Sequence, residues 1–358
     1  MLILPFIANI GGSTAYWSCF FVLILLGALQ GTTQGTVFTM AAAFPFKYIG
    51  AVMVGNGIAG IGSNLFRAAT LIAFPSSGGP NNEFYGALTL FIFSAIIMVI
   101  CALAQIYVRN SEFAKFYLEP KHDDSRRTNP ELNGSNNNTA DGTVEEAERL
   151  RPTSDYEPTE KKDKSKLGLK QFMVHAYGNF KKTEGLLLAL AYVFVLTFIC
   201  FPGLSDDTHF SFLSSIKNEA SWYNLLCLTL FNSFDLIGRT IGGMACADLS
   251  KLTVLWMGGL RTLFVITFMM IAFEVSPVWL FQADWFKLLN FAIFAFTNGY
   301  TSTLCAVKAP GTVEGEEKGQ VGGFIGVTIS IGILIGSLAA LCMEPIIAMT
   351  PAGKAAGD

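Results

Sequence analysis

The sequence predicts an all-α polytopic membrane protein. Three observations carry that prediction. First, 52% of the 358 residues are apolar and only 14% are charged, against about 25% charged in a soluble domain. Second, the charge is uneven: residues 111–183, a fifth of the chain, hold 26 of its 51 charged residues. Third, what remains is a series of apolar runs near the ~20 residues that cross a bilayer as a helix, separated by Gly, Pro and Asn turns. The formal net charge of −3 gives no basic footprint for nucleic acid.

Residues 1–10 are apolar but too short to span. Gly11-Gly-Ser-Thr14 reads as a turn. Tyr16 and Trp17 then stand as interfacial aromatics at the head of a helix over 15–44. The Pro45-Phe-Lys-Tyr48 turn leads to a second helix over 49–74. Pro75 to Asn82 is a loop, and a third helix covers 84–108 and closes on Arg109. Five more spans are expected over 185–201, 222–246, 252–273, 286–308 and 319–343. That gives eight full helices and a stub, with residues 1–110 a partial N-terminal bundle, 184–349 a C-terminal bundle and 350–358 a short tail.

Residues 111–183 form the polar insert between the bundles. Its middle, 123–166, is rich in Asn, Glu, Lys, Thr and Pro and is expected to be disordered. Residues 167–180 put Phe172, Met173, Tyr177 and Phe180 on one helical face among lysines. That pattern suits either a helix lying on an anionic membrane surface or a solvated linker helix. Lys47, Arg109, Lys251, Lys308 and Lys318 fall on the insert's side, while the opposite loops are acidic. The positive-inside rule therefore places the insert in the cytoplasm. The sequons at Asn133 and Asn137 then carry no glycan, and Arg151-Pro-Thr-Ser154 is a candidate basophilic kinase site. The N-terminus lacks the basic stretch and cleavage site of a signal peptide.

Polar groups inside the spans are where function is to be sought. A charge at the bilayer centre costs about 2.5–3.5 kcal/mol, while a Leu or Phe returns about 0.3–0.6. Yet Leu228-Thr-Leu-Phe-Asn232-Ser-Phe-Asp235-Leu-Ile-Gly-Arg239 holds an amide, an acid and a base in one span. Asp235 and Arg239 are i, i+4 and share a face, with Asn232 one turn before Asp235. Either they lock helices together as a buried ion pair or they line a solute path. Gln30 and Gln34 repeat the i, i+4 spacing with neutral amides, suited to sugar hydroxyls, a base edge or interhelical bonding. Gly55, Gly57 and Gly60 allow close backbone approach in the second span, and Arg67 further along it needs a partner, with Asp235 a candidate. Pro202 ends one span, Arg261 sits inside another, and Asn298 makes a polar step in a third. Gly322, Gly323, Gly326, Gly332 and Gly336 recur along the last.

The seven cysteines are scattered without CxxC spacing, which argues against a metal site, and no cofactor motif is present. The three histidines are expected in loops or the insert, and no nucleophile elbow or P-loop occurs. An enzyme is not expected.

Several stretches together resemble the equilibrative nucleoside transporter family. Gln34-Gly-Thr-Val-Phe, the Pro45 turn and Gly55-Asn-Gly57-Ile-Ala-Gly60 are similar to its fourth and fifth helices. Phe201-Pro202, Trp222 and Phe231-Asn-Ser-Phe-Asp235-Leu-Ile-Gly-Arg239 are similar to its seventh and eighth. Phe294-Ala-Phe-Thr-Asn298-Gly-Tyr300 is similar to its tenth. The resemblance implies a major-facilitator-like two-bundle transporter moving nucleosides, or nucleobases, by alternating access. It implies substrate contacts from Gln34, Asn232, Asp235 and Arg239, with Phe201, Leu228 and Ile333 lining the cavity. Gln30 falls where many members carry a small residue that shapes inhibitor binding. Gly55, Gly57, Gly60, Arg67, Pro202, Arg261 and Asn298 are read as structural or gating positions.

The resemblance covers the end of the third helix to the eleventh, so an incomplete gene model is the favoured account of the missing start. The alternative is a truncated, non-transporting membrane protein acting as scaffold or regulatory partner. Pairing of Asp235 with Arg239 favours facilitated diffusion over proton coupling. The expected partners are a nucleoside, the lipid bilayer and a cytosolic kinase or adaptor on the insert. The expected location is the plasma membrane, with an internal membrane as second choice.

Overall fold

The computed structural model describes residues 2–75, 81–118, 168–205, 210, 212, 219–245, 249–272, 279–315 and 317–348. Among them there is helix and no strand. The middle of the insert, its sequons and its kinase site, together with His122 and His209, lie outside the described residues.

A short helix α1 (Leu4–Ile10) ends at Gly11 and Gly12, whose φ of 71° and 80° favour glycine. Next come α2 (Gly12–Ala43), α3 (Lys47–Ala73), α4 (Asn82–Asn110) and α5 (Glu112–Leu118). After the insert follow α6 (Leu169–Cys200), α7 (Glu219–Ala245), α8 (Lys251–Leu260), α9 (Thr262–Ala272), α10 (Trp279–Gln282), α11 (Asp284–Lys308) and α12 (Glu317–Ala348). Among the described residues seven helical segments are long and apolar enough to cross a membrane, with α8 and α9 counted as one. The eighth expected span, α11, is not among those seven. It carries Asn290, Asn298, Thr301, Ser302 and Thr303, all buried, and exposes Trp285, Leu289 and Ile293 along its first half.

Two expectations are corrected. Neither the surface helix nor the linker helix expected over 167–180 exists as a separate element. That stretch is the beginning of α6, one uninterrupted helix of 32 residues. At 1.5 Å per residue α6 is about 48 Å long, so it outreaches a ~30 Å hydrocarbon core. His175 consequently lies in a helix. The expected span over 252–273 is broken: α8 stops at Leu260, and α9 resumes at Thr262 after Arg261.

Helix packing follows the glycines. On α12, side chains at Gly322 and Gly326 would collide with the backbone of α2 at Phe38 and Gly35. Side chains at Gly332 and Gly336 would collide with α6 at Ala191 and Val195. The glycine stripe is therefore two seams, one for each partner, in keeping with small-residue packing in membranes.

The interior has two apolar clusters. One joins Phe38, Ile49, Met53, Leu190, Val254, Leu304 and Ile325. The other is aromatic, with Phe201, Phe210, Tyr223, Phe231, Phe268, Phe291 and Phe294. Along α6, α8–α9 and α11, buried polar residues fall between the two contributions: Thr197 between Phe194 and Cys200, Arg261 between Val254 and Phe268, Asn298 between Ala295 and Leu304. On α7, Asp235 and Arg239 follow Phe231. A polar layer is thus held between two apolar ones.

Candidate functional site

The site is organised by where α7 crosses α11. A side chain at Gly299 would run into the carbonyl of Asp235, and one at Gly238 into the carbonyl of Phe296. The two backbones touch because both positions lack a Cβ. That closeness brings the Asn298 amide to Asp235, and its Nδ2 donates to Asp235 Oδ1 at 2.8 Å. The other carboxylate oxygen, Oδ2, accepts from Arg239 Nε at 2.5 Å. Both partners are buried, Asp235 at 3% exposure and Arg239 at 7%. Arg239 turns Nη1 toward Met53 Sδ on α3 at 3.6 Å.

The network continues past Asn298. The Thr197 hydroxyl on α6 lies 2.7 Å from Asn298 Oδ1. Arg261, at the α8–α9 break, donates from Nη2 to Thr197 Oγ1 at 3.0 Å, and from Nη1 to Thr297 Oγ1 at 2.6 Å and the Phe294 carbonyl at 2.9 Å. Its guanidinium lies over the Phe294 ring, 4.7 Å from the centroid. The broken helix brings Arg261 inward to 1% exposure, where its bonds to carbonyl and hydroxyl oxygens satisfy much of its donor capacity.

Asn232 stands one turn before Asp235 and is half-buried. It packs on α3, where a Cβ built at Gly60 would lie 2.7 Å from the Asn232 amide. Gly57 meets Leu236 in the same crossing, while Gly55 is exposed and faces open space. The crossing of α3 and α7 therefore fixes the edge on which Asn232 is presented.

The other expected residues are more dispersed. Phe201 is buried, stacked on Phe231 at 4.9 Å and edge-on to Phe291 at 5.2 Å. Leu228 is 40% exposed, and Ile333 is half-buried against the first cluster. Pro202 is exposed just after α6. Gln34 is half-buried and Gln30 exposed on α2, and neither makes a side-chain hydrogen bond among the described residues. Arg67 is not the partner of Asp235: that carboxylate is taken by Arg239 and Asn298, and Arg67 is exposed, with no ion pair among the described residues. Sequence reasoning missed Thr197, Met53, Gly238 and Gly299. The two glycines could have been found, since each adjoins a polar residue already marked, Arg239 and Asn298. Nothing in the α6 sequence distinguishes Thr197.

Comparison with known proteins bears on what this network is part of. The sequence profile of the family described as Nucleoside transporter matches residues 20–344. The chain belongs to the nucleoside transporter family. Equilibrative nucleoside transporter 1 of Homo sapiens is 23% identical over 334 residues, covering 91% of this chain and 68% of the human one. Equilibrative nucleoside transporter 2 of Rattus norvegicus is 26% identical over 332 residues, covering 89% and 69%. Equilibrative nucleoside transporter 4 of Danio rerio is 22% identical over 329 residues, covering 86% and 60%. These relatives are transporters and not enzymes. In this member of the nucleoside transporter family, the matched region includes the whole network from Thr197 to Asn298.

Proposed function

We propose that this chain carries nucleosides across a membrane by alternating access, with Asn232, Asp235 and Arg239 on α7 as the core of the solute site. One observation carries the reading. A buried acid–base pair is held within a helix long and apolar enough to cross a membrane, beside a half-buried amide, and intramembrane ionisable groups mark solute paths by default. Oriented amides and a guanidinium supply the donors and acceptors that ribose hydroxyls and base edges require. Family membership supports the same substrate class.

Gln30 and Gln34 would add contacts from α2. Phe201, Leu228 and Ile333 would form apolar walls, with Gly55, Gly57, Gly60, Arg67, Pro202, Arg261 and Asn298 as structural or gating positions. Asp235 is engaged on both oxygens, which supports facilitated diffusion over a proton relay. The bundles would divide at the 111–183 insert, which lies in the cytoplasm on the lysine and arginine asymmetry and offers a kinase or adaptor site. The plasma membrane is the working location.

Uptake of radiolabelled uridine and adenosine by cells expressing the complete gene product tests this. Asp235→Asn and Arg239→Ala should each lower uptake per carrier in the membrane by tenfold or more, the scale of one lost charge-assisted hydrogen bond at about 1.5–3 kcal/mol. Undiminished uptake in both variants would sink the site assignment.

A further inference from the structure

We propose that Arg261 is a positioning residue for the Asp235–Arg239 pair, acting through the Thr197 hydroxyl and the Asn298 amide without touching the pair or the solute. The inference rests on the reading of that pair as the solute site.

A side-chain amide is nearly symmetric in shape, so its partners decide which end points where. Asn298 sits between unlike partners. Its Oδ1 faces the Thr197 hydroxyl at 2.7 Å and Arg261 Nη2 at 3.5 Å, and its Nδ2 faces the Asp235 carboxylate at 2.8 Å. Arg261 can only donate and Asp235 can only accept while ionised. A flipped amide would set N–H against N–H at one end and oxygen against oxygen at the other.

Thr197 has one proton and two acceptors in reach, Asn298 Oδ1 and the Val193 carbonyl, each at 2.7 Å. Because Arg261 donates to Thr197 Oγ1 at 3.0 Å, the hydroxyl is held as an acceptor on that side, and its single proton is left for one of the other two. With that proton on Asn298 Oδ1, donation runs one way, from Arg261 through Thr197 and Asn298 to Asp235. Arg239 donates from the opposite side. With both carboxylate oxygens engaged, Asp235 fixes Arg239 through Nε. Arg239 Nη2 makes no hydrogen bond among the described residues and is the donor left for a solute.

Charge supports the same role. Among the described residues Arg261 has no ion-pair partner, and the acid nearest along its hydrogen bonds is Asp235. Two buried guanidiniums therefore share one carboxylate, one directly and one through an amide. The competing reading is that Arg261 merely ties the α8–α9 break to α11 through Phe294 and Thr297. That role predicts loss of folded carrier without a change in solute affinity.

The test is concentration-dependent uptake of radiolabelled uridine and adenosine by the complete gene product, per carrier in the membrane. Arg261→Met and Thr197→Val are each made in wild type and in Asp235→Asn. Each single variant should raise the half-saturating concentration by roughly tenfold or more with little change in maximal rate. Neither should add to the defect of Asp235→Asn, in which the accepting carboxylate is already gone. Should Arg261→Met fail to reach the membrane, Thr197→Val, of nearly equal volume, decides alone. Wild-type half-saturation in these variants, or effects that multiply with Asp235→Asn, overturns the positioning role while leaving the site reading intact. Full uptake in Asp235→Asn overturns both.

Discussion

Asp235 accepts from Arg239 on one oxygen and from Asn298 on the other, so the carboxylate has different neighbours on its two faces. One is a cation on its own helix. The other is an amide on α11 that leads to a second cation. The first prediction comes from this asymmetry. Removing one member of a buried pair costs about 3–5 kcal/mol because a charge is left uncompensated. Arg239→Met leaves Asp235 with an amide donor, whereas Asp235→Leu leaves two guanidiniums without an acid. Thermal unfolding in detergent should show Asp235→Leu as the more damaging, with Asp235→Leu/Arg239→Met no worse than Asp235→Leu alone. Equal losses for the two single variants would contradict the shared-acid arrangement.

Gly238 and Gly299 let α7 and α11 touch. Gly299→Ala should push the helices apart, lengthen the Asn298–Asp235 bond and destabilise by about 1–3 kcal/mol or more, the usual cost of overpacking. Gly62→Ala, on α3, is the control. It faces open space in a helix interior, so it should be neutral or stabilise by about 0.5–1 kcal/mol. The comparison is read as unfolding temperature and yield of monodisperse protein.

Gly60 abuts the Asn232 amide across the α3–α7 crossing. The amide is the tip of a side chain that can turn, so Gly60→Ala should leave the fold largely intact while displacing Asn232. The expected outcome is a raised half-saturating concentration for nucleoside uptake at near-normal abundance. Gly60→Ala with unchanged uptake kinetics would separate Asn232 from the solute site.

Phe201 belongs to the aromatic cluster, stacked on Phe231. Phe201→Ala should cost about 3–5 kcal/mol through lost burial and a residual cavity. Phe201→Leu should recover much of it. Stability that follows side-chain volume, read by unfolding temperature, identifies packing as the main role of this position.

Much of this was legible in the chain. The apolar runs marked each long helix, and the cost of charge in lipid singled out Asp235 and Arg239 before any contact was known. Less visible was what depends on contacts between distant segments. The α8–α9 break follows Gly258-Gly259, a glycine pair that weakens a helix, and the guanidinium of Arg261 reaches α11 from the residue where the helix opens. The sequence of α11 reads weakly as a span because its buried face is polar, with Asn290, Asn298, Thr301, Ser302 and Thr303 turned inward. Thr197 is an ordinary helical threonine by sequence, and its role exists only because Asn298 and Arg261 converge on its hydroxyl. The aromatic and lysine pattern at 167–180 has the periodicity of a surface helix, but periodicity cannot tell whether a helix ends or continues into the next span.

The most direct test is equilibrium binding of radiolabelled uridine and adenosine to the purified complete gene product, wild type against Asp235→Asn, with both shown to be folded by their unfolding transitions. A solute site built on the Asp235–Arg239 pair predicts at least roughly tenfold weaker binding in the variant. Equal affinity in two equally folded proteins would contradict it.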